Sequence, residues 1–248
     1  MRTIRLTVSY DGTEFAGFQF QAGARTVQEA LEGAVARITG VEARVQAAGR
    51  TDAGVHATGQ VVSFRTESRL PPRELQRALN GVLPEDVAVV TAGDAPDGFH
   101  ARFSAVARGY RYTIWNAPDP LILGRRYALH WRAFLDVPAM VRCSQVLVGH
   151  HDFAAFSGSL RGRERPTTTS RTIYRLHPWR NGGWVYVDVA ANAFLPRMVR
   201  NLVGTLMQTG LHETMPEAVE RALFAGTRTG AAITAPPHGL CLTNVWYD

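Results

Sequence analysis

The sequence predicts an α/β protein of the α+β kind, built as two similar lobes with a cleft between them. Two observations carry this prediction. Strand-like and helix-like hydrophobic periods follow one another in the order β-α-β-β-α-β, and that order occurs twice, over residues 1–104 and again over 105–248. A length of 248 residues suits one large domain or two ordinary ones. The residues themselves show no repeat, so the duplication is one of architecture.

In the first half, Ile4–Tyr10 alternates apolar and polar residues as a strand does. It runs into the glycine- and aromatic-rich DGTEFAGFQFQ. Thr26 and Glu29 have capping-box spacing before an apolar face of Val27, Ala30, Leu31, Ala34, Val35 and Ile38, and Gly40 stops the helix. Val45–Ala48 and Gln60–Phe64 are strand-like. Pro71 and Pro72 open a second helix with Leu75, Ala78 and Leu79 inward, ending near Asn80-Gly81. Asp86–Thr91 is the fourth strand. This is the split βαβ (ferredoxin-like) arrangement, with helices on one face of an antiparallel sheet.

The second half follows the same plan. Val106–Trp115 is a strand, and an irregular proline-rich passage continues through Trp131. Asp136–Val148 is helical with Met140, Cys143 and Leu147 inward. Arg171–Trp179 and Trp184–Ala190 form a hairpin across Asn181-Gly182-Gly183. Phe194–Gln208 is a helix with Pro196 near its start. Thr214 and Glu217 cap a shorter helix, Met215–Phe224, and Leu240–Tyr247 is the last strand.

Composition excludes several classes. A hydrophobic content of 46% is that of a globular protein, and no apolar run approaches the ~20 residues that span a bilayer. The opening MRTIRLTVSYDG alternates like a strand and lacks the apolar core of a signal peptide, so a cytoplasmic protein is expected. Cys143 and Cys241 form no CxxC and fit packing roles. All 27 basic residues are arginine, which rules out a Schiff-base lysine and a P-loop lysine. A net charge of +6 carried by arginine suits phosphate contacts and base stacking.

One connection is oversized. Between Val45–Ala48 and Gln60–Phe64 lie Gly49, Arg50, Asp52, Gly54 and Gly59, where ordinary hairpins use about 2–5 residues. A carboxylate beside a guanidinium on such a loop fits catalysis, and it also fits an aspartate that caps its own turn. On the helix Phe194–Gln208, Arg197 points away from the apolar stripe and Arg200 lies on its flank. Tyr110 and Tyr112 share one strand face opposite Arg111, as a core pair or as a base-stacking pair. Arg161–Arg165 is a basic loop that suits solvent or phosphate. His150, His151 and Asp152 are adjacent and do not converge on a metal, so no metal site is expected.

Taken together, these segments resemble a known family. GRTDAGVHATGQVVSF resembles the signature of the tRNA pseudouridine synthases that modify uridines 38, 39 and 40 of the anticodon arm. YDGTEFAGFQ, FHARFSAVARGYRY at 99–112, HDFAAFS at 151–157, NAFLPRMVRNLVG at 192–204 and GLCLTNVWYD are similar to family motifs, in family order. The passages Pro118–Arg132 and Gly158–Thr169 depart from the pattern.

The resemblance implies Asp52 as the catalytic aspartate and nucleophile, Arg200 as its ion-pair partner, Tyr110 as the ring stacked on the target base, and Arg50 as a contact to the flipped nucleotide. It further implies a continuous, mostly antiparallel sheet with a central catalytic cleft, tRNA as substrate, a homodimer, and no cofactor or metal. The competing expectation is a non-catalytic RNA-binding module that uses neither Asp52 nor Arg200. A glycoside hydrolase would want a second carboxylate, which the signature loop lacks.

Overall fold

The computed structural model describes residues 1–158, 168–226 and 233–248. The basic run Arg161–Arg165 lies outside the described residues. The chain divides into two compact units, Met1–Arg108 with Cys241–Asp248, and Gly109–Leu240.

The first unit holds β1 (Arg2–Tyr10), α1 (Val27–Thr39), β2 (Gln46–Ala47), β3 (His56–Thr66), α2 (Pro72–Asn80) and β4 (Val87–Asp94). The last strand of the chain, β10 (Leu240–Tyr247), is grouped with it from Cys241 onward. Strand order is β4-β1-β3-β10. β1 runs antiparallel to both β3 and β4. β2 pairs with β3 at only two positions, Val62 and Ser63. Further along β3, β10 pairs in parallel at His56 and Ala57. The strand that should have flanked β3 is thus cut short, and β10 pairs where it leaves off.

Local chemistry explains the helices. Thr26, fully buried, accepts the Glu29 amide at 3.3 Å and opens α1, while Gly40 at φ 75° closes it. Val27, Leu31, Ala34 and Val35 form the buried stripe. α2 protects the edge strand β4: the Asn80 side chain exchanges two hydrogen bonds with the Val89 backbone, at 2.9 and 2.7 Å. An open strand edge thereby gains a side-chain mimic of a neighbouring strand.

In the second unit, β5 (Ala105–Trp115, counted here from Gly109) is joined by β6 (Leu129–His130), α3 (Val137–Leu147), β7 (Gly149–Asp152), β8 (Ser170–Asn181), β9 (Trp184–Ala191), α4 (Met198–Gly210) and α5 (Pro216–Ala225). The order is β5-β9-β8-β7, with β6 beside β5. The β8–β9 hairpin turns at Gly182 as expected. Asp136 caps α3 by accepting the Ala139 amide at 3.1 Å.

Three expectations change. Thr214 does not cap α5; its first flanking residue is Met215, which makes no side-chain cap. α4 begins at Met198 rather than Phe194, because Arg197 sits at φ 58° and breaks the helical path. His150, His151 and Asp152, for which no element was expected, lie in strand β7, whose alternation sends neighbouring side chains to opposite faces. His150 meets the Thr172 hydroxyl, His151 meets the Val148 carbonyl, and Asp152 accepts the Ala154 amide. Among the described residues no group of three metal-binding side chains converges, and no helix is long and apolar enough to cross a membrane.

Candidate active site

Because β3 begins at His56, the oversized connection shortens to Ala48–Val55, and Gly59 moves out of it into the strand. A Cβ on Gly59 would lie 2.0 Å from the Thr243 carbonyl oxygen. That glycine makes room for β10, not for a ligand.

The loop that remains is held from three sides. Gln60, with no exposed surface, donates to the Gly49 carbonyl at 2.6 Å and accepts the Gly49 amide at 3.4 Å. It also donates to the Tyr10 hydroxyl at 3.4 Å, which in turn shares a hydrogen bond with the Thr51 hydroxyl, 2.8 Å away. Burial pushes the Tyr10 phenol well above its usual range, so it stays protonated and keeps this role. Arg108, 8% exposed, clasps the Ala48 carbonyl with Nε and Nη2 at 3.2 and 3.0 Å. The DGTEFAGF segment forms the third side: Phe18 donates to Thr51 and Gly54 donates to Phe15. Gly17 sits at φ 105° with the Thr51 carbonyl where a Cβ would be, at 2.9 Å.

Within this frame the chain turns tightly from Asp52 to Val55, closed by a 3.1 Å hydrogen bond, with Gly54 at φ 74°. Asp52 is half-buried at the start of the turn and Arg50 is exposed beside it. Directly after the turn, His56 accepts the Gly12 amide on Nδ1 at 3.0 Å. The same nitrogen lies 3.1 Å from Asp11.

The other two candidates belong to the second unit. Tyr110 is 8% exposed on β5 and packs edge-on to Phe194, ring centroids 5.2 Å apart. Tyr112, on the same face, donates its hydroxyl to the Pro236 carbonyl at 2.8 Å. Burial raises Tyr112, and the positive charge of Arg200 partly opposes the rise. Arg111 faces the other way, forked onto Asp188 at 2.7 and 3.0 Å and lying over Trp179 and Tyr186.

α4 differs from the amphipathic helix its sequence suggests. Every residue from Met198 to Gly210 is buried except Arg200, which is half-buried. Arg197, in contrast, is exposed. Arg200 donates from Nε to the Ala235 carbonyl at 2.7 Å, and Ala235 donates back to the Arg200 carbonyl at 3.0 Å. This exchange fixes the root of the guanidinium. The GYRY, NAFLP and APPHG segments therefore meet within one unit around Tyr110, Tyr112 and Arg200.

Asp52 and Arg50 thus share one preorganised loop, and Tyr110 and Arg200 belong to the other unit. Sequence reasoning missed Gln60, Tyr10, Thr51 and Arg108 as supports. Gln60 sits among apolar strand residues, which is a signal; nothing local marks Arg108 as buried. A carboxylate on a turn fixed this firmly suits chemistry at one defined atom, since positioning costs are met before substrate arrives.

A family model described as tRNA pseudouridine synthase matches residues 6–104 and 132–248. Proteins named tRNA pseudouridine synthase A from Thermoanaerobacter sp. (strain X514) and Moorella thermoacetica are 42% and 44% identical over 247 and 252 residues, covering 100% of both chains in each case. The protein of that name from Roseiflexus sp. (strain RS-1) is 46% identical over 252 residues, covering 100% of this chain and 91% of its own. A solved Cbf5-Nop10-Gar1 complex is similar at TM-score 0.37 and 11% identity, over 96% of this chain and 57% of that one, and nothing rests on it. The chain belongs to the tRNA pseudouridine synthase family.

Proposed function

We propose that the protein isomerises uridine to pseudouridine in tRNA, at positions 38–40 of the anticodon arm, with Asp52 as the catalytic carboxylate. The observation that carries the reading is full-length similarity, 42–46% in the three relatives above, to proteins named tRNA pseudouridine synthase A; positions 38–40 come from the signature resemblance. The rigid mounting of Asp52 supports its assignment.

The chemistry breaks the N1–C1′ bond, turns the base and joins C1′ to C5; C5 gives up a proton and N1 takes one. No electron is transferred and no water is consumed, so side chains suffice. The target must leave its stack at a cost of a few kcal/mol. Tyr110 is proposed to restore the lost stacking, and Arg50 to hold the flipped nucleotide or its phosphate. Attack by Asp52 at C1′ or at C6, or removal of the 2′ proton, each requires the ionised carboxylate. Arg200 as ion-pair partner would favour that anion. A homodimer working in the cytoplasm completes the proposal.

The test is site-resolved pseudouridine mapping on anticodon-arm transcripts. Wild type should convert them and Asp52→Asn should be slower by at least about 10²–10⁴-fold. A near wild-type rate in the variant sinks the role given to Asp52. Binding by wild type without conversion sinks the enzyme.

A further inference from the structure

Phe103 is the most conspicuous ring in the first unit: 76% of it is exposed. An isolated surface aromatic is ordinary, but this one is mounted on a turn with an unusual number of anchors. The His100 amide donates to the Ser104 hydroxyl at 3.1 Å and the Ser104 amide donates back to the His100 carbonyl at 2.9 Å. The His100 ring accepts the amides of Arg102 and Phe103 on Nδ1, at 3.1 and 3.4 Å. Ala101, fully buried, donates to the Ser63 hydroxyl of β3 at 3.0 Å and accepts the Tyr247 hydroxyl at 2.8 Å.

The same turn is tied to the Asp52 loop. Arg108 donates to the Arg102 carbonyl at 2.5 Å and to the Ala105 carbonyl at 2.9 Å, while its other contacts hold Ala48, the first residue of that loop. One buried guanidinium thus fixes the exposed ring and the catalytic turn to a common frame. At the tip, Arg102 is exposed with its guanidinium 5.5 Å from the Phe103 centroid, and the His100 ring packs 4.4 Å from it at a tilt.

We propose that the His100–Ser104 turn is an RNA-docking element, in which Phe103 stacks on an unpaired base of the substrate other than the target and Arg102 contacts the adjoining phosphate. A rigid aromatic beside an arginine recognises single-stranded RNA through any base's π-face plus its backbone charge. Anchoring of the turn removes the ordering cost that a mobile phenylalanine would incur on binding. The proposal rests on the tRNA reading above and deepens it, because it names a substrate contact outside the reacting nucleotide.

The experiment compares wild type with Phe103→Ala, Phe103→Leu and Phe103→Trp, measuring steady-state isomerisation of an anticodon-arm transcript and its affinity by fluorescence anisotropy. Stacking of one base predicts a loss of affinity and a rise in KM of about 5- to 150-fold for Ala and Leu, with kcat retained. Trp should restore binding. Melting temperatures should not move, since the ring is exposed. Equal affinity in all four proteins overturns the proposal, as does a Leu variant that binds like wild type, which would indicate generic apolar contact. A change of molar mass by light scattering in Phe103→Ala would reassign the ring to contact between copies. Absence of pseudouridine from wild type defeats the proposed function alone, because anisotropy still reports whether Phe103 binds RNA.

Discussion

Gln60 places both ends of its amide on the backbone of Gly49 and has no exposed surface. Its sequence position within the strand run QVVSF made it look like an ordinary strand polar residue. Its work is to splice the first residues of the Asp52 loop onto β3. Replacement by leucine keeps the volume and removes both partners, leaving the half-buried amide and carbonyl of Gly49 without them. Gln60→Leu should cost about 1–3 kcal/mol in stability, and kcat should fall at temperatures where the variant is still fully folded. Denaturant melts and initial rates on one preparation check this. A destabilised variant with wild-type kcat would mean the loop holds its shape without Gln60. The identity of Asp52 as a candidate was legible because a lone carboxylate in an oversized loop is a local signal. Two of the supports were not, since Tyr10 and Arg108 reach the loop from positions distant in sequence, while Gln60, close by in β3, showed only as a polar residue in an apolar run.

At the scale of elements, what was legible depended on length and period. The longer elements α1, α2, α3, β1, β8 and β9 carry several turns or pleats of pattern, and the structure has each near its expected place. The two-residue β6 and the four-residue β7 have too little period to show, whereas the expected Val45–Ala48 strand is present as the two-residue β2. One glycine misled: Gly59 suggested loop, yet it lies in β3 because the β10 backbone passes where its side chain would be. Gly204 in α4 is similar, with a Cβ position 1.9 Å from the Ile233 carbonyl oxygen. Gly33 in α1 is exposed and has nothing within 4 Å. The three make a graded prediction. Gly33→Ala should stabilise by about 0.5–1 kcal/mol by favouring the helix. Gly59→Ala and Gly204→Ala should each cost about 3 kcal/mol or more, since a backbone carbonyl cannot move aside as a side-chain tip can. Equal melts for Gly33→Ala and Gly204→Ala would show that α4 and its neighbouring segment do not pack so closely.

At the scale of the whole molecule, the end of the chain completes the first unit. Leu242 is fully buried, Val245 and Tyr247 pack on the cluster of Ala48, Val61 and Ala101, and Arg5 lies 5.8 Å from the Tyr247 ring. β10 also pairs with the start of β3 directly after the Asp52–Val55 turn. None of this was visible in GLCLTNVWYD beyond its strand-like alternation, because a pairing across nearly two hundred residues (Cys241 with His56) leaves no local mark. Loss of one fully buried leucine side chain costs about 2–5 kcal/mol, and a domain's whole margin is about 5–15 kcal/mol. Removal of Cys241–Asp248 takes away that leucine, two further apolar side chains and a strand together. The deletion should therefore unfold the first unit while the second, whose β8–β9 hairpin and α3 lie within Gly109–Leu240, keeps its structure. Hydrogen exchange reads the two separately: amides of His56–Thr66 should lose protection, and those of Trp184–Ala191 should keep it. Retained protection along β3 in the truncated chain would show that the first unit closes its core without its last strand, and that Gln60, Arg108 and the DGTEFAGF segment hold the Asp52 loop without it.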